Sequence, residues 1–159
     1  MIENVSGFRF QVAGTRYGQR NAGLLQLEFL TLKVLLVADE TWIQNEAMAA
    51  LSDPDTVIRQ VEDPRTVAQA AEEFNPDVVI VDLQVASMGG MAVARALREA
   101  EFAEDIPATS IVLLLDRKAD EFLAARAAAN AWVVKPFTPQ QLRAAIDSAL
   151  TSLAGGRSA

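Results

Sequence analysis

Asp39, Asp82 and Lys135 stand out because each lies at the end of an apolar run. Asp39 follows Val34-Leu35-Leu36-Val37 and a bare Ala38, with Glu40 directly behind it; Asp82 closes "VVIVD", and Lys135 closes "AWVVK". Carboxylates brought close together raise each other's pKa unless a cation lies between them. Mg²⁺ suits such a pair, because it takes one or two carboxylates and fills its remaining positions with water and phosphate oxygens. A lysine beside them supplies a point charge for a phosphoryl group. A carboxylate in that setting can itself be the nucleophile and form an acyl phosphate.

Other chemistries are excluded by composition. The 159 residues contain no cysteine and no histidine. Disulfide scaffolds, zinc–thiolate sites, thiol nucleophiles, Ser-His pairs and histidine metal sites are therefore absent from this chain. The formal net charge of −7 disfavours nucleic acid as a partner. No apolar stretch is long enough to cross a bilayer and no signal peptide is evident, so a cytoplasmic protein without membrane insertion is expected.

The elements that must position these groups can be read from Leu32 onward. Leu32 to Val37 reads as a strand, and Ile43, Ala47 and Ala50/Leu51 follow at helical spacing. Val57, Ile58 and Val61 suggest a short strand. Asp63-Pro64 starts a helix, with the acid as cap and proline at the first helical position. Val78 to Val81 is the next strand, and Gly89-Gly90 opens the following helix. Ile111 to Leu115 and Ala131 to Val134 are the fourth and fifth strands, separated by a short helix around Phe122, Leu123 and Ala127. Thr138-Pro139-Gln140-Gln141 is a capping box at the head of the last helix. Continuous apolar strands alternating with helices imply a parallel sheet buried on both faces, an α/β three-layer sandwich. If the strand order is 2-1-3-4-5, the first and third strands adjoin at the topological switch point, and Asp39, Asp82 and Lys135 reach one crevice. Residues 1–30 carry a net +1, against −8 for the remainder, and read as a flexible extension in which Phe8, Phe10 and Val12 alternate.

With "VLLVADE", "PDVVIVDLQVASMGG" and "VVKPFTPQQL" in this order, residues 31–154 resemble a receiver domain of two-component response regulators, with 155–159 as a tail. The resemblance implies a flavodoxin-like (βα)5 fold of strand order 2-1-3-4-5. It implies a phosphorelay protein whose phosphoacceptor is Asp82, with Mg²⁺ held by Asp39, Asp82 and the backbone carbonyl of Gln84. Lys135 matches the phosphoryl-contacting lysine, the Lys135–Pro136 bond is expected to be cis, and Trp132 takes the place of the aromatic switch residue.

Some positions depart from the family. Ala38 replaces the second acid, weakening metal binding. Leu115 stands where a switching Thr or Ser is expected and has no donor. Ala86 replaces the usual proline, and Gly89 the usual acid before Gly90. Only 24 residues follow Lys135, which suggests a stand-alone, atypical response regulator. It is not an enzyme on this reading; it receives its phosphoryl group from a sensor histidine kinase or another phosphodonor and acts through the face of the fourth helix, fifth strand and fifth helix. A homodimer is compatible with that face. The alternative is a phosphorylation-independent pseudo-receiver. A small enzyme using an aspartyl-phosphate or a flavin ranks last, since Gln84 stands where a second catalytic acid would follow Asp82.

Overall fold

The computed structural model describes residues 31–156. The extension expected over 1–30, with its alternating Phe8, Phe10 and Val12, lies outside the described residues. Five parallel strands form one sheet: β1 (Leu32–Val37), β2 (Thr56–Gln60), β3 (Val78–Asp82), β4 (Ser110–Leu115) and β5 (Ala131–Val134). Their order is β2-β1-β3-β4-β5. The connecting helices are α1 (Thr41–Ala50), α2 (Val67–Phe74), α3 (Gly90–Phe102), α4 (Glu121–Arg126) and α5 (Pro139–Gly156).

The apolar runs are buried because helices cover both faces. Residues 78–82 and 110–115 are buried throughout. Strand alternation divides the core into two layers. Leu35, Val37, Val79, Val81, Leu113 and Leu115 face the layer completed by α2, α3 and α4. Val34, Leu36, Ile80, Val112 and Leu114 face the layer completed by Ile43 and Ala47 of α1 and by Leu142, Ile146 and Leu150 of α5. The two edge strands have mixed patterns: Val57, Arg59 and Gln60 of β2 are exposed, and so is Trp132 of β5.

Local chemistry sets the helix starts. The Asp63 carboxylate accepts from the Arg65 N–H, and Pro64 opens a 3₁₀ turn that leads into α2. At α5, Thr138 N–H donates to Gln141 Oε1 and Gln141 N–H donates to Thr138 Oγ1, so the expected capping box is present. These short connections leave every strand's carboxyl end at the same edge of the sheet. At that edge lie Asp39 after β1, Asp82 at the end of β3, Asp116 after β4 and Lys135 after β5.

Candidate functional site

Asp82 is the last residue of β3 and only 1 % exposed. Its Oδ1 accepts from Lys135 Nζ at 2.6 Å and from the Gln84 N–H at 3.2 Å. Oδ2 is buried and has no hydrogen-bond partner among the described residues. Lys135 follows β5, and the Lys135–Pro136 bond is cis, as the sequence suggested. Its side chain is 8 % exposed. The neighbouring β3–β4 and β4–β5 pairings bring the ends of β3 and β5 within reach of each other across β4.

A second carboxylate meets the same amine. Asp116 Oδ1 lies 2.8 Å from Lys135 Nζ. Burial works to lower the Lys135 pKa, but its hydrogen bonds to Asp116 and Asp82, and their charges, outweigh burial and hold it above the usual lysine range. For Asp116, burial works upward, yet the Lys135 hydrogen bond, the approach of the Gln84 amide and the charges of Lys135 and Arg117 hold it below the usual carboxylate range.

Asp116 corrects the sequence reading of β4. Leu115 was expected at the switching hydroxyl's position beside the site. It is instead fully buried in the layer under α2, α3 and α4, on the opposite face of the sheet from Asp82. The register pairs Leu115 with Val134, so Asp116 comes opposite Lys135 one residue later. Side chains alternate along a strand, and therefore Asp116, not Leu115, shares a face with Lys135. A signal for it was present: like Asp39, Asp82 and Lys135, Asp116 is the first charged residue beyond an apolar run.

Asp39 follows β1, the neighbour of β3 in the sheet. It does not serve as a side-chain cap for α1: Glu40 occupies the N-cap, without a side-chain bond. Asp39 Oδ2 instead accepts the Ala86 N–H at 2.5 Å, across to the loop behind Asp82. A proline at position 86 could not make this bond, having no N–H. Ala38 is 2 % exposed and packs in the α1/α5 layer, so a core methyl stands where the resemblance implies an acid. Glu40 is exposed. The Gln84 carbonyl accepts no backbone hydrogen bond among the described residues. Trp132 lies on the same face of β5 as Val134 but is 38 % exposed, so it is not a core residue.

These donors fit a hard divalent cation with a mostly aqueous shell. The orphaned Oδ2 of Asp82 and the carboxylate of Asp39 supply the one or two carboxylates that Mg²⁺ requires. No cluster of three potential metal-binding side chains occurs among the described residues. No described helix is long and apolar enough to cross a membrane.

Comparison with known proteins agrees with this fold. The family described as "Response regulator receiver domain" matches residues 34–147. A probable transcriptional regulator, ycf27, of Guillardia theta is 30 % identical over 118 residues, covering 74 % of this chain and 45 % of that protein. The two-component response regulator PhoP of Pseudomonas aeruginosa is 26 % identical over 127 residues, covering 78 % of this chain and 54 % of that protein. The chain thus spans about half the length of these curated relatives. Chemotaxis protein CheY4 of Vibrio cholerae superposes with a TM-score of 0.65 at 24 % identity, covering 75 % of this chain and 98 % of that one. The receiver domain of sensor histidine kinase PA1611 from Pseudomonas aeruginosa, solved with a magnesium ion in its active-site cleft, superposes with a TM-score of 0.65 at 21 % identity, covering 76 % and 98 %. Fold, strand order and the matched span together place the chain in the receiver-domain family of response regulators.

Proposed function

We propose that this receiver domain accepts a phosphoryl group on Asp82 in a two-component phosphorelay and signals by docking on another protein. Receiver domains are phosphorylated by histidine kinases and are not in general enzymes. The observation that carries the reading is the buried contact of Lys135 Nζ with Asp82 Oδ1 at 2.6 Å, at the strand ends where such folds bind ligands. In the reaction a carboxylate oxygen of Asp82 attacks phosphorus. The bond from phosphorus to the donor's nitrogen or acyl oxygen breaks, the leaving group departs with that electron pair, and an acyl phosphate remains. Lys135 stays within reach to offset charge on the phosphoryl oxygens. Asp39, Asp82 and the Gln84 carbonyl would hold Mg²⁺, which supplies neutralising charge when bound.

The docking surface is assigned to α4, β5 and α5. Phe122 on α4 is 58 % exposed and Trp132 on β5 is 38 % exposed, and a groove beside Trp132 is lined by Asn130, Gln141 and Ser148. Half-exposed aromatic side chains of this kind serve as anchors in protein interfaces. A second reading, a docking module independent of phosphorylation, is favoured by one observation: Ala38 leaves the site without its second acid.

Intact mass after incubation with Mg²⁺ and acetyl phosphate separates the two. A gain of one phosphoryl group, absent from Asp82→Ala and Asp82→Asn, supports the acceptor reading. No gain in the wild type moves the function to constitutive docking.

A further inference from the structure

Lys135 is unusual in being held twice. Its ammonium contacts Asp82 Oδ1 at 2.6 Å and Asp116 Oδ1 at 2.8 Å while only 8 % of its side chain is exposed. Among the described residues it is the lysine paired with two carboxylates; Lys118 lies in the exposed turn before α4, and Lys33 lies over the Phe74 ring at the far end of β1. Asp116 is tied to the sheet by its place one residue after β4. It is 35 % exposed, whereas Asp82 beneath it is 1 % exposed, so Asp116 stands on the solvent side of the acceptor.

An acidic side chain there affects phosphoryl transfer in two ways. It occupies a donor of Lys135 that the incoming phosphoryl oxygens would use. It also places a fixed negative charge beside a group that carries nearly two negative charges of its own. Thr or Ser would offer a hydroxyl donor instead. The charge of Arg117 offsets Asp116 only in part, since its guanidinium is paired with Asp120 at 2.8 Å and makes no ion pair with Asp116.

Building on the acceptor role proposed for Asp82, we propose that Asp116 is a built-in competitor for Lys135: its carboxylate closes the site electrostatically and must leave the lysine before a phosphoryl group can settle on Asp82. Asp116 is a positioning residue in this scheme, acting through Lys135. It sets a slow phosphorylation rate in the resting protein without removing the nucleophile.

The test compares wild type with Asp116→Asn, Asp116→Ser and Asp116→Glu. Two readouts are taken: the initial rate of mass gain with Mg²⁺ and acetyl phosphate, and the rate at which an amine reagent modifies Lys135 relative to Lys33 and Lys118, located by peptide mapping. The expected result is a rate gain of about tenfold or more in the Asn and Ser variants, from removing one charge at contact distance. Lys135 modification rises in parallel, and the Glu variant stays slow on both readouts. A change that merely loosened the strand end would affect Glu along with Asn and Ser. Measurable but equal phosphorylation in all four proteins overturns the competitor and leaves the acceptor reading standing. Lys135 modification unchanged in Asp116→Ser likewise overturns it. No mass gain in any of the four overturns the acceptor reading and the competitor together.

Discussion

Gly90 is the point at which the fold can be tested most sharply by one methyl group. A Cβ at this position would lie 2.5 Å from the backbone oxygen of Asp82, 2.7 Å from Leu83 Cα and 3.1 Å from the Asp82 carbonyl carbon. The obstacles are backbone atoms, so no side chain can rotate away. The Gly90 N–H also donates to the Leu83 oxygen at 3.0 Å, which pins the start of α3 to the end of β3. Gly90→Ala must therefore push the first turn of α3 away from Asp82, the residue proposed as acceptor. Overpacking of this kind costs about 2–3 kcal/mol. For a domain of this size that is a loss of roughly 8–12 °C in Tm. The companion variant Gly89→Ala separates strain from collision. Gly89 has φ 81°, a conformation side chains rarely adopt, yet nothing lies within 4 Å of a Cβ there. It loses about 1–3 kcal/mol to backbone strain alone, and the Asp82 backbone stays in place. Thermal unfolding followed by circular dichroism reads the stability. Phosphorylation rate from acetyl phosphate reads the displacement of Asp82, and only Gly90→Ala lowers it. A Gly90→Ala protein melting within about 2 °C of wild type would refute the close approach of α3 to β3.

Three further outcomes follow from the contacts. Arg98 donates to Glu101 Oε1 at 2.6 Å, Thr109 O at 2.9 Å, Ala128 O at 2.7 Å and Asn130 Oδ1 at 2.7 Å, joining α3 to the loops flanking β4 and β5. Arg98→Ala strips the guanidinium from the Thr109 and Ala128 carbonyls, while Glu101 Oε1 and Asn130 Oδ1 keep the Thr109 and Ile111 N–H groups, and costs about 2–4 kcal/mol in urea unfolding; a loss below about 1 kcal/mol would show that water replaces the guanidinium freely. Ala86→Pro removes the N–H that occupies Asp39 Oδ2 and frees that carboxylate for Mg²⁺. Affinity read by tryptophan fluorescence during Mg²⁺ titration is expected to tighten about tenfold, the worth of one hydrogen bond to a charged group; unchanged affinity would count against Asp39 as a ligand. Because the folded pKa of Lys135 is raised, its pairing stabilises the fold fully below the unfolded value of about 10.4 and is lost as pH rises through the higher folded value. Wild type therefore carries an alkaline fall in unfolding free energy that Lys135→Gln lacks, measurable by urea titrations across that range; identical slopes in the two proteins would contradict the pairing.

The sequence made the sheet easy to read and one site residue hard. Val78 to Val81 and Ile111 to Leu115 announce strands because burial on both faces demands unbroken apolar runs. That same feature hides which way each side chain points. In Ile111-Val112-Leu113-Leu114-Leu115 no residue alternates with a polar one, so the face of Leu115 cannot be told from hydrophobicity. The pairing of Leu115 with Val134 settles it and brings Asp116 to Lys135. At the edge, β2 has one exposed side, and its bounds of Thr56–Gln60 were marked in the sequence only by Val57 and Ile58 within it. Asp82 and Lys135 were legible as strand-end residues whose strands the order 2-1-3-4-5 brings near each other. The bond from the Ala86 N–H to Asp39 was not, because a backbone donor leaves no mark on residue type beyond the absence of proline.

The central claim is that Asp82 is the residue that takes the phosphoryl group. Borohydride reduces an acyl phosphate to an alcohol, turning a phosphorylated aspartate into homoserine, which fragmentation of peptides can place on the chain. After treatment with Mg²⁺ and acetyl phosphate, homoserine is expected at position 82 and nowhere else, and Asp82→Asn should yield none. Homoserine at Asp39 or Asp116, or an unchanged yield in Asp82→Asn, would contradict the assignment of the nucleophile.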